Sequence, residues 1–306
     1  MATRHTYTTA DDLRDYLAGT SYSSGWSSDG NAIRSILEAQ SRRIDDYCGG
    51  GTFGPLTESR YYDIGRGNLR HTPEFSVYAS ASGTIGNSEQ TVGIVPLDGW
   101  IVSTSTVTAY GATDRSTHTT LTEGYNNEFW LLPYNKNPKT IFQMNEDTTS
   151  ELSVGQQTLL ITGQWGYTAD TLSVTTADAI ASTSATSVSV TSATNLSPAQ
   201  TILIDSEQLY ITSISGNTLT VERGVNGTTA ATHSGGVSVY RYDYPELVVQ
   251  ACRDLGKIVF RDRDLGRADM IGSGENEVIR SQNEAKAVLQ TLDSYKVAGT
   301  SNAIVF

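Results

Sequence analysis

The sequence predicts an α+β protein with a helical core built from N- and C-terminal helices, a β-strand region and an inserted small β-barrel or sandwich module. Three observations support this class. Apolar residues recur at helical spacing near both ends of the chain, and short apolar runs separated by Gly, Asn and Pro fill the middle. Residues 171–242 contain no Lys and only six charged residues. We therefore predict three regions, 1–170, 171–242 and 243–306.

The first region begins with two predicted helices. Thr9 and Asp12 have the spacing of a capping box, in which the threonine hydroxyl accepts a backbone N–H of the first helical turn. Gly19 ends this helix, and a second helix runs from near Asn31 to the glycines 49–51. The apolar faces of the two helices consist of Leu13, Tyr16, Leu17, Ile33, Ile36, Leu37, Ile44 and Tyr47.

The middle of the chain is predicted to be β-structure. Between 52 and 168, short apolar runs alternate with turn residues. In 171–242, apolar and polar residues alternate, and 215–217 form the turn of a predicted hairpin. A glycine-rich loop over 223–236 follows that hairpin, so we interpret 171–242 as a separate β module.

Two more helices are predicted after this module. Pro245 lies in the first turn of the third helix, where the backbone N–H that proline lacks would have no partner. A polar break at 266–274 precedes the fourth helix. The apolar faces consist of Leu247, Val248, Ala251, Leu255, Ile258, Val259, Val278, Ile279, Ala285, Val288, Leu289, Leu292 and Tyr295. Lys296 then begins a small polar arm with an apolar tip, Ile304, Val305 and Phe306.

Composition excludes several classes of function. The 306 residues are 38% hydrophobic and 18% charged, because 33 Ser and 40 Thr occupy nearly a quarter of the chain. The net charge of −12 opposes binding to nucleic-acid phosphates. The sequence shows neither a membrane-spanning apolar stretch nor the apolar core of a signal peptide, so a soluble protein made in a cytosol is expected. Cys48 and Cys252 are expected to be reduced and packed on helices.

Motifs for cofactor or metal binding have structural explanations here. Gly49, Gly51 and Gly54 have the spacing of a dinucleotide-binding loop, but they follow a predicted helix instead of a strand, which indicates a helix stop. Asp262 and Asp264 have the spacing of the first two ligands of a calcium-binding loop, but the later ligands of such a loop are missing. We therefore expect an ion-paired surface at this segment. No two of the four histidines have the spacing of a helical metal pair, and we predict no metal and no cofactor.

One cluster in the 171–242 module could carry acid–base chemistry, and it consists of Asp205, Glu207, Arg223 and His233. Asp205 and Glu207 are two residues apart on a strand, and paired carboxylates are what glycoside hydrolysis requires. The alternative is structural. In that interpretation Asp205 lies at a strand turn, and Arg223 and His233 hold the glycine-rich loop by hydrogen bonds. We favour the structural interpretation and predict no catalytic residues.

Short segments along the chain carry a resemblance to a known family. The segment 9–13 with Tyr16 and Leu17, then 44–47 with nearby Phe53, and then 60–63 resemble the start of tailed-phage head-to-tail connector (adaptor) proteins of the HK97 gp6-like family. Two later segments, 161–167 and 245–252, resemble that family's last strand with its aromatic turn and its following helix.

The resemblance covers residues 7–63, 155–168 and 244–262, under half of the chain. The 171–242 module stands where the family has a short loop, and 64–157 is longer than the family's strand region. Within the module, 204–233 resembles a β module that recurs in phage structural proteins.

The resemblance implies a structural protein without enzymatic activity. Such proteins form a ring, usually of twelve copies, between the portal and the tail, so the expected location is the neck of a virion assembled in the host cytoplasm. An acidic ring would let genomic DNA pass without specific binding. We expect the arm from Lys296 to dock on the portal, with Ile304, Val305 and Phe306 in an apolar pocket. The 171–242 module is expected on the outside of the ring, against a neighbouring copy or other tail and neck proteins.

Two alternatives come from other classes. Four Trp and sixteen Tyr among Ser/Thr-rich strands would suit a carbohydrate-binding or tail-adhesin module. Adhesins of that kind are usually nearly all β, and the helices predicted at both ends argue against one. A hydrolase that uses Asp205 and Glu207 is the third interpretation.

Overall fold

The fold is mostly β, with 40% of the chain in strands and 25% in helices. The computed structural model describes residues 3–18, 30–64, 84–85, 94–112, 114–145, 152–267 and 274–297. Contacts divide the chain into two units. Unit 1 comprises Met1–Gly54 with Ala169–Phe306, and unit 2 comprises Pro55–Thr168.

Unit 2 is an antiparallel β-structure. Its strands are β1 (Leu56–Ile64), β2 (Thr84–Ile85), β3 (Ile94–Tyr110), β4 (His118–Leu121), β5 (Phe129–Leu132), β6 (Lys139–Met144), β7 (Leu152–Ser153) and β8 (Gly155–Trp165). The main sheet has the order β1-β8-β3-β6-β5, and β4 pairs with the far end of β3. The short strands β2 and β7 pair with each other.

A single apolar core covers one face of this sheet. The central strands contribute completely buried side chains, among them Ile101, Leu159 and Ile161. A Cβ at Gly163 would lie 2.2 Å from the carbonyl oxygen of Ser103, so β8 can approach β3 this closely only with glycine at that position. Unit 2 therefore has a hydrophobic core of its own.

Unit 1 contains the second sheet, which is built from the 171–242 segment. Its strands are β9 (Thr171–Ala177), β10 (Ser187–Ser189), β11 (Thr201–Ile204), β12 (Glu207–Ser215), β13 (Thr218–Glu222) and β14 (Val237–Tyr242). The order is β10-β13-β12-β11-β14-β9. Ala177 of β9 bridges to Val190, directly after β10, so the two edges meet and the sheet closes into a small barrel.

The barrel core follows the apolar alternation of the sequence, as predicted. Alternate residues of the strands are buried together, namely Val188, Val190, Ile202, Ile204, Leu209, Ile211, Leu219, Val221 and Val239. The predicted hairpin is β12–β13, and Gly216 takes the positive φ of +60° that its tight turn requires.

The four α-helices of the described residues also belong to unit 1, as does a short 3-10 helix at Asp293–Tyr295. The α-helices are α1 (Ala10–Ala18), α2 (Gly30–Cys48), α3 (Glu246–Arg267) and α4 (Gly274–Gln290). The predicted capping hydrogen bond of α1 is present, since the Asp12 N–H donates to Thr9 Oγ1 at 3.1 Å. Helix α3 contacts α1, α2 and α4, so helices from both ends of the chain pack together.

The predicted class, a helical core that carries an inserted β module, is wrong. The chain has two antiparallel sheets and only four α-helices among its described residues. The physical reason lies in the two β cores, because unit 2 and the barrel each bury an apolar cluster without using the helices for cover. No helix within the described ranges is both long and apolar enough to cross a membrane.

Candidate functional site

The four residues of the acid–base candidate come together in the barrel. Arg223 forms a bidentate ion pair with Glu207, with Nε 2.7 Å from Oε1 and Nη2 2.7 Å from Oε2. His233 Nε2 lies 2.8 Å from Glu207 Oε2, and His233 Nδ1 lies 2.7 Å from Asp205 Oδ2.

Backbone groups complete this network. Glu207 also accepts the N–H groups of Gly224 and Ala231, each at 3.0 Å. The Arg223 guanidinium donates to the carbonyl oxygens of Ser182, Ala185 and Ala231. The predicted tethering of the glycine-rich loop by Arg223 and His233 is therefore confirmed.

Burial and hydrogen bonding have opposite effects on the pKa of Glu207. Burial alone would raise the pKa of its carboxyl, but hydrogen bonds from Arg223, Ala231 and His233 outweigh burial and lower that pKa to about 2. Glu207 stays a carboxylate across the physiological pH range.

The network has no accessible reactive group at its centre. The side chains of Glu207, Arg223 and His233 are 0, 5 and 2% exposed, whereas that of Asp205 is 60% exposed. Asp205 lies at the β11–β12 turn with a φ of +52°, as the structural interpretation requires. Because both carboxylates bind the same histidine, they do not flank an open site, and the arrangement favours a structural role over hydrolysis.

A second polar cluster holds the N-terminal strap, which we define as residues 3–9. The Arg4 N–H donates to Asn226 Oδ1 at 2.7 Å, and the Arg4 guanidinium pairs with Glu222 at 2.9 Å. Thr6 and Thr201 form further hydrogen bonds between the strap and the barrel. The strap therefore ties the barrel to the helical part of unit 1.

His5 is the most enclosed side chain of the strap. Its residue is 1% exposed, and its Nδ1 lies 2.9 Å from the hydroxyl of Tyr244. Its Nε2 lies 3.1 Å from Nδ2 of Asn226. The ring packs on Gly54, where a Cβ would lie 2.4 Å from Nδ1. Any side chain at position 54 would displace the histidine.

Tyr7 connects the strap to α2. Its hydroxyl donates to Asp45 Oδ1 and accepts the Phe53 N–H at 3.0 Å. Arg42 Nη1 lies 3.0 Å from Asp45 Oδ2. Burial raises the pKa of Asp45 to about 7, against the lowering effects of Arg42 and of the Tyr7 hydrogen bond. A carboxyl group that titrates near neutrality thus lies under the strap.

An open cavity of about 310 Å³ lies beside the strap. The strap, the end of β14 and the start of α3 line it, and its charged residues include Arg241, Asp243 and Glu246. Arg253 and Asp12 form an ion pair there at 3.1 Å. The mixed charges give the cavity no preference for an anion or a cation.

Lys296, the first residue of the predicted docking arm, contacts the end of α2. Its Nζ lies 2.8 Å from Asp293 Oδ1 and 4.0 Å from the centre of the Tyr47 ring. The Val297 N–H donates to the carbonyl oxygen of Cys48 at 3.1 Å. The apolar tip, Ile304, Val305 and Phe306, lies outside the described residues, so portal docking stays a prediction.

The remaining motifs have the structural roles that the sequence indicates. Gly49 and Gly51 follow α2 with positive φ, as expected for a helix stop. Arg261 pairs with Asp262 and Glu284, as expected for an ion-paired surface, and the side chain of Asp264 lies outside what the structure describes. Both cysteines are free and buried, in α2 and α3. Within the described part of the chain, no group of three or more acidic, histidine or cysteine side chains could hold a metal ion.

Sequence reasoning missed the strap contacts. The sequence contains one indication of a buried polar contact at Asp45. This residue shares a helical face with Leu37, Ser41, Ile44 and Cys48, all of which are buried. An acidic residue on such a face needs a polar partner. The partner, Tyr7, comes from a non-helical segment whose path the sequence pattern does not predict.

Comparison of the chain with protein-family models, with curated proteins and with solved structures finds no match. Similarity therefore assigns no family, and the function has to be inferred from the fold and the contacts of the residues themselves.

Proposed function

We propose that this protein is a structural subunit of a tailed-phage neck, where it forms a ring of twelve copies between the portal and the tail and continues the DNA channel. Its partners in this proposal are further copies of the chain, the portal protein, and tail or neck proteins. Genomic DNA passes through the ring without specific binding.

The observation that carries the proposal is the packing of helices from both ends of the chain. Helices α1 and α2 precede all the strands, α3 and α4 follow all of them, and α3 contacts α1 and α2. This shared helical cluster supports the proposal, because the family resemblance depends on the same order of helices and strands. Gly256 of α3 lies close to side chains of both N-terminal helices, since a Cβ there would be 3.1 Å from Leu13 and within 4 Å of Leu37.

The chemistry of the described residues also favours a structural role. The best acid–base candidates bind one another at the centre of the barrel, and their side chains are almost completely buried except for Asp205. Such a network stabilises a fold and offers no position for a substrate. The net charge of −12 on each copy would give a ring a strongly negative field, which repels DNA phosphates.

Negative-stain imaging of the protein mixed with cognate portal rings tests the proposal. We expect a collar of twelve copies coaxial with the portal. Replacing Ile304, Val305 and Phe306 together by Ser should abolish the collar, because the docking contact would lose its apolar area. Replacing residues 298–303 by a Gly/Ser linker of equal length is the matched control and should leave the collar intact. Absence of a collar with the native chain would contradict the ring. A normal collar with the Ser variant would contradict docking by the apolar tip.

A carbohydrate-binding role is the second candidate, because unit 2 exposes tyrosine rings beside hydroxyl-bearing strands. Tyr61 on β1 is 48% exposed, and Tyr125 is 85% exposed. Ser59 and Thr162, on neighbouring strands, join hydroxyl groups at 2.8 Å. In this case a glycan microarray would show binding that Tyr61→Ala weakens at least tenfold. Binding that is absent, or unaffected by the substitution, removes this candidate.

A further inference from the structure

The hydrogen bonds around Asn226 fix the orientation of its side-chain amide. The Arg4 backbone N–H can only donate, and it points at Asn226 Oδ1 at 2.7 Å. The Nδ2 group therefore occupies the other side, where it donates to Gln208 Oε1 at 2.8 Å and faces His5 Nε2 at 3.1 Å. Turning the amide over would place Nδ2 against the Arg4 N–H, so this orientation is the only satisfied one.

The orientation of Asn226 in turn fixes the protonation of His5. Because Nδ2 is a donor, His5 Nε2 must be an acceptor and cannot carry a hydrogen. The single ring hydrogen then lies on Nδ1 and is donated to the Tyr244 hydroxyl at 2.9 Å. The docked strap thus accepts only neutral His5 in one tautomer.

We propose that His5 is an acid-sensitive latch: protonation at Nε2 places two donors against each other and releases the N-terminal strap from the barrel and from α2. Histidine has an ordinary pKa of about 6.5, so an open strap would take up this proton in mildly acidic solution. The inference does not depend on the connector proposal, since it concerns unit 1 of a single chain.

The cationic and neutral groups that face His5 from the surrounding elements favour its neutral form. Arg42 of α2 donates to the carbonyl oxygen of His5 at 2.5 Å, and its positive charge disfavours an imidazolium nearby. Tyr242 at the end of β14 and Tyr244 after it pack against the ring, and burial raises the pKa of both hydroxyls, so both remain neutral. Other nearby charges are Arg4, which pairs with Glu222 and Glu38, and Asp45 beneath Tyr7. Asp45 acts in the opposite direction, because burial raises its pKa and its protonation therefore stabilises the docked strap as the pH falls.

Hydrogen exchange of two strap amides measures the release. The Arg4 N–H donates to Asn226, and the Tyr7 N–H donates to Ser41 Oγ at 3.2 Å, so both are protected only while the strap is docked. We make this measurement in Asp45→Asn, in which the carboxyl group beneath the strap cannot titrate. With exchange corrected for the intrinsic rate at each pH, we expect protection to fall roughly tenfold from pH 7.5 to pH 5.5, because one proton binds the open form below a pKa of about 6.5. Equal protection of the Asp45→Asn chain at the two pH values would overturn the proposal.

Two variants separate His5 from the other titrating groups. His5→Gln, made in the same Asp45→Asn background, keeps an amide oxygen that can accept from Asn226 and should lose the pH effect. With Asp45 intact, the fall in protection should be smaller or reversed, because protonation of this carboxyl group favours the docked strap. A tenfold fall that persists in the doubly substituted chain would contradict the latch.

The native chain also gives a direct readout that needs no variant. Nitrogen-15 spectra of the His5 ring at pH 7.5 should show hydrogen on Nδ1 alone. Hydrogen on Nε2 would contradict the assigned tautomer and with it the latch.

Discussion

Glu207→Gln should lower the free energy of unfolding of unit 1 by about 3 to 5 kcal/mol. The substitution keeps the shape of the side chain but removes the charge that neutralises Arg223, whose side chain is 5% exposed. It also places an amide N–H₂ group, which can only donate, against groups that donate as well, including the Ala231 N–H. Those donors would lose their acceptor. A buried guanidinium without its counter-charge is among the costliest defects that a single substitution can produce.

Two optical signals report the two units separately. The described helices all belong to unit 1, so circular dichroism at 222 nm in urea follows that unit. Trp100, Trp130 and Trp165 belong to unit 2, so tryptophan fluorescence follows that unit once Trp26 of unit 1 is replaced by Phe. We expect Glu207→Gln to lower the urea midpoint of the helical signal, although Glu207 itself lies in the barrel, because the strap bonds the barrel to the helices.

Asp205→Asn is the matched control. Its carboxyl group contacts the same histidine, but the side chain is 60% exposed, so the substitution should cost less than about 1 kcal/mol. If Glu207→Gln leaves the helical transition unchanged, the barrel and the helices unfold independently and the strap does not couple their stabilities.

Asp45→Asn should remove a pH dependence of stability that the native chain shows between about pH 4 and 7. The pKa of Asp45 is about 7 in the folded chain and has an ordinary value of 3.8. The folded state therefore binds more protons than the unfolded state in this range, and the free energy of unfolding falls as the pH rises. Relative to Asp45→Asn, the native chain should lose about 4 kcal/mol across this window.

The difference between the native chain and the variant is the quantity to measure, since other groups titrate in the same range. Urea unfolding at pH 4 and at pH 8, followed by the helical signal, gives it. Asp15→Asn changes an exposed carboxyl group on α1 and should follow the native curve. A constant difference between the native chain and Asp45→Asn across the window would show that Asp45 ionises as easily in the folded as in the unfolded chain.

The sequence predicts local structure well where the pattern is short-ranged. The barrel strands, the β12–β13 hairpin and the Thr9 cap follow from alternation, turn residues and capping chemistry, and the structure confirms them. The balance between helix and strand was not predicted correctly. Two β cores form through pairings between distant strands, such as β1 with β8, and nothing in the local sequence specifies such partners.

The same limit applies to the candidate site. Arg223 and His233 lie close to Glu207 in sequence, and their tethering role could be predicted. Asn226 could be predicted only as a turn residue, because its partners Arg4 and His5 are more than 200 residues away. Long-range polar contacts of this kind emerge only when the tertiary fold is known.

The strap contacts also decide how the barrel can be tested. Deleting 171–242 would remove the partners of Arg4 and His5, so the helices themselves would lose support. A loss of ring formation after such a deletion would then report unfolding. Surface substitutions on the barrel are the appropriate probe of a role on the outside of the ring.

Cryo-electron microscopy of intact virions tests the central claim most directly. The account predicts a twelve-fold ring between the portal and the tail, with density for this chain that accommodates the cluster of α1, α2, α3 and α4 together with the barrel. Density for the chain at the distal tip of the tail, or its absence from the neck, would contradict the account.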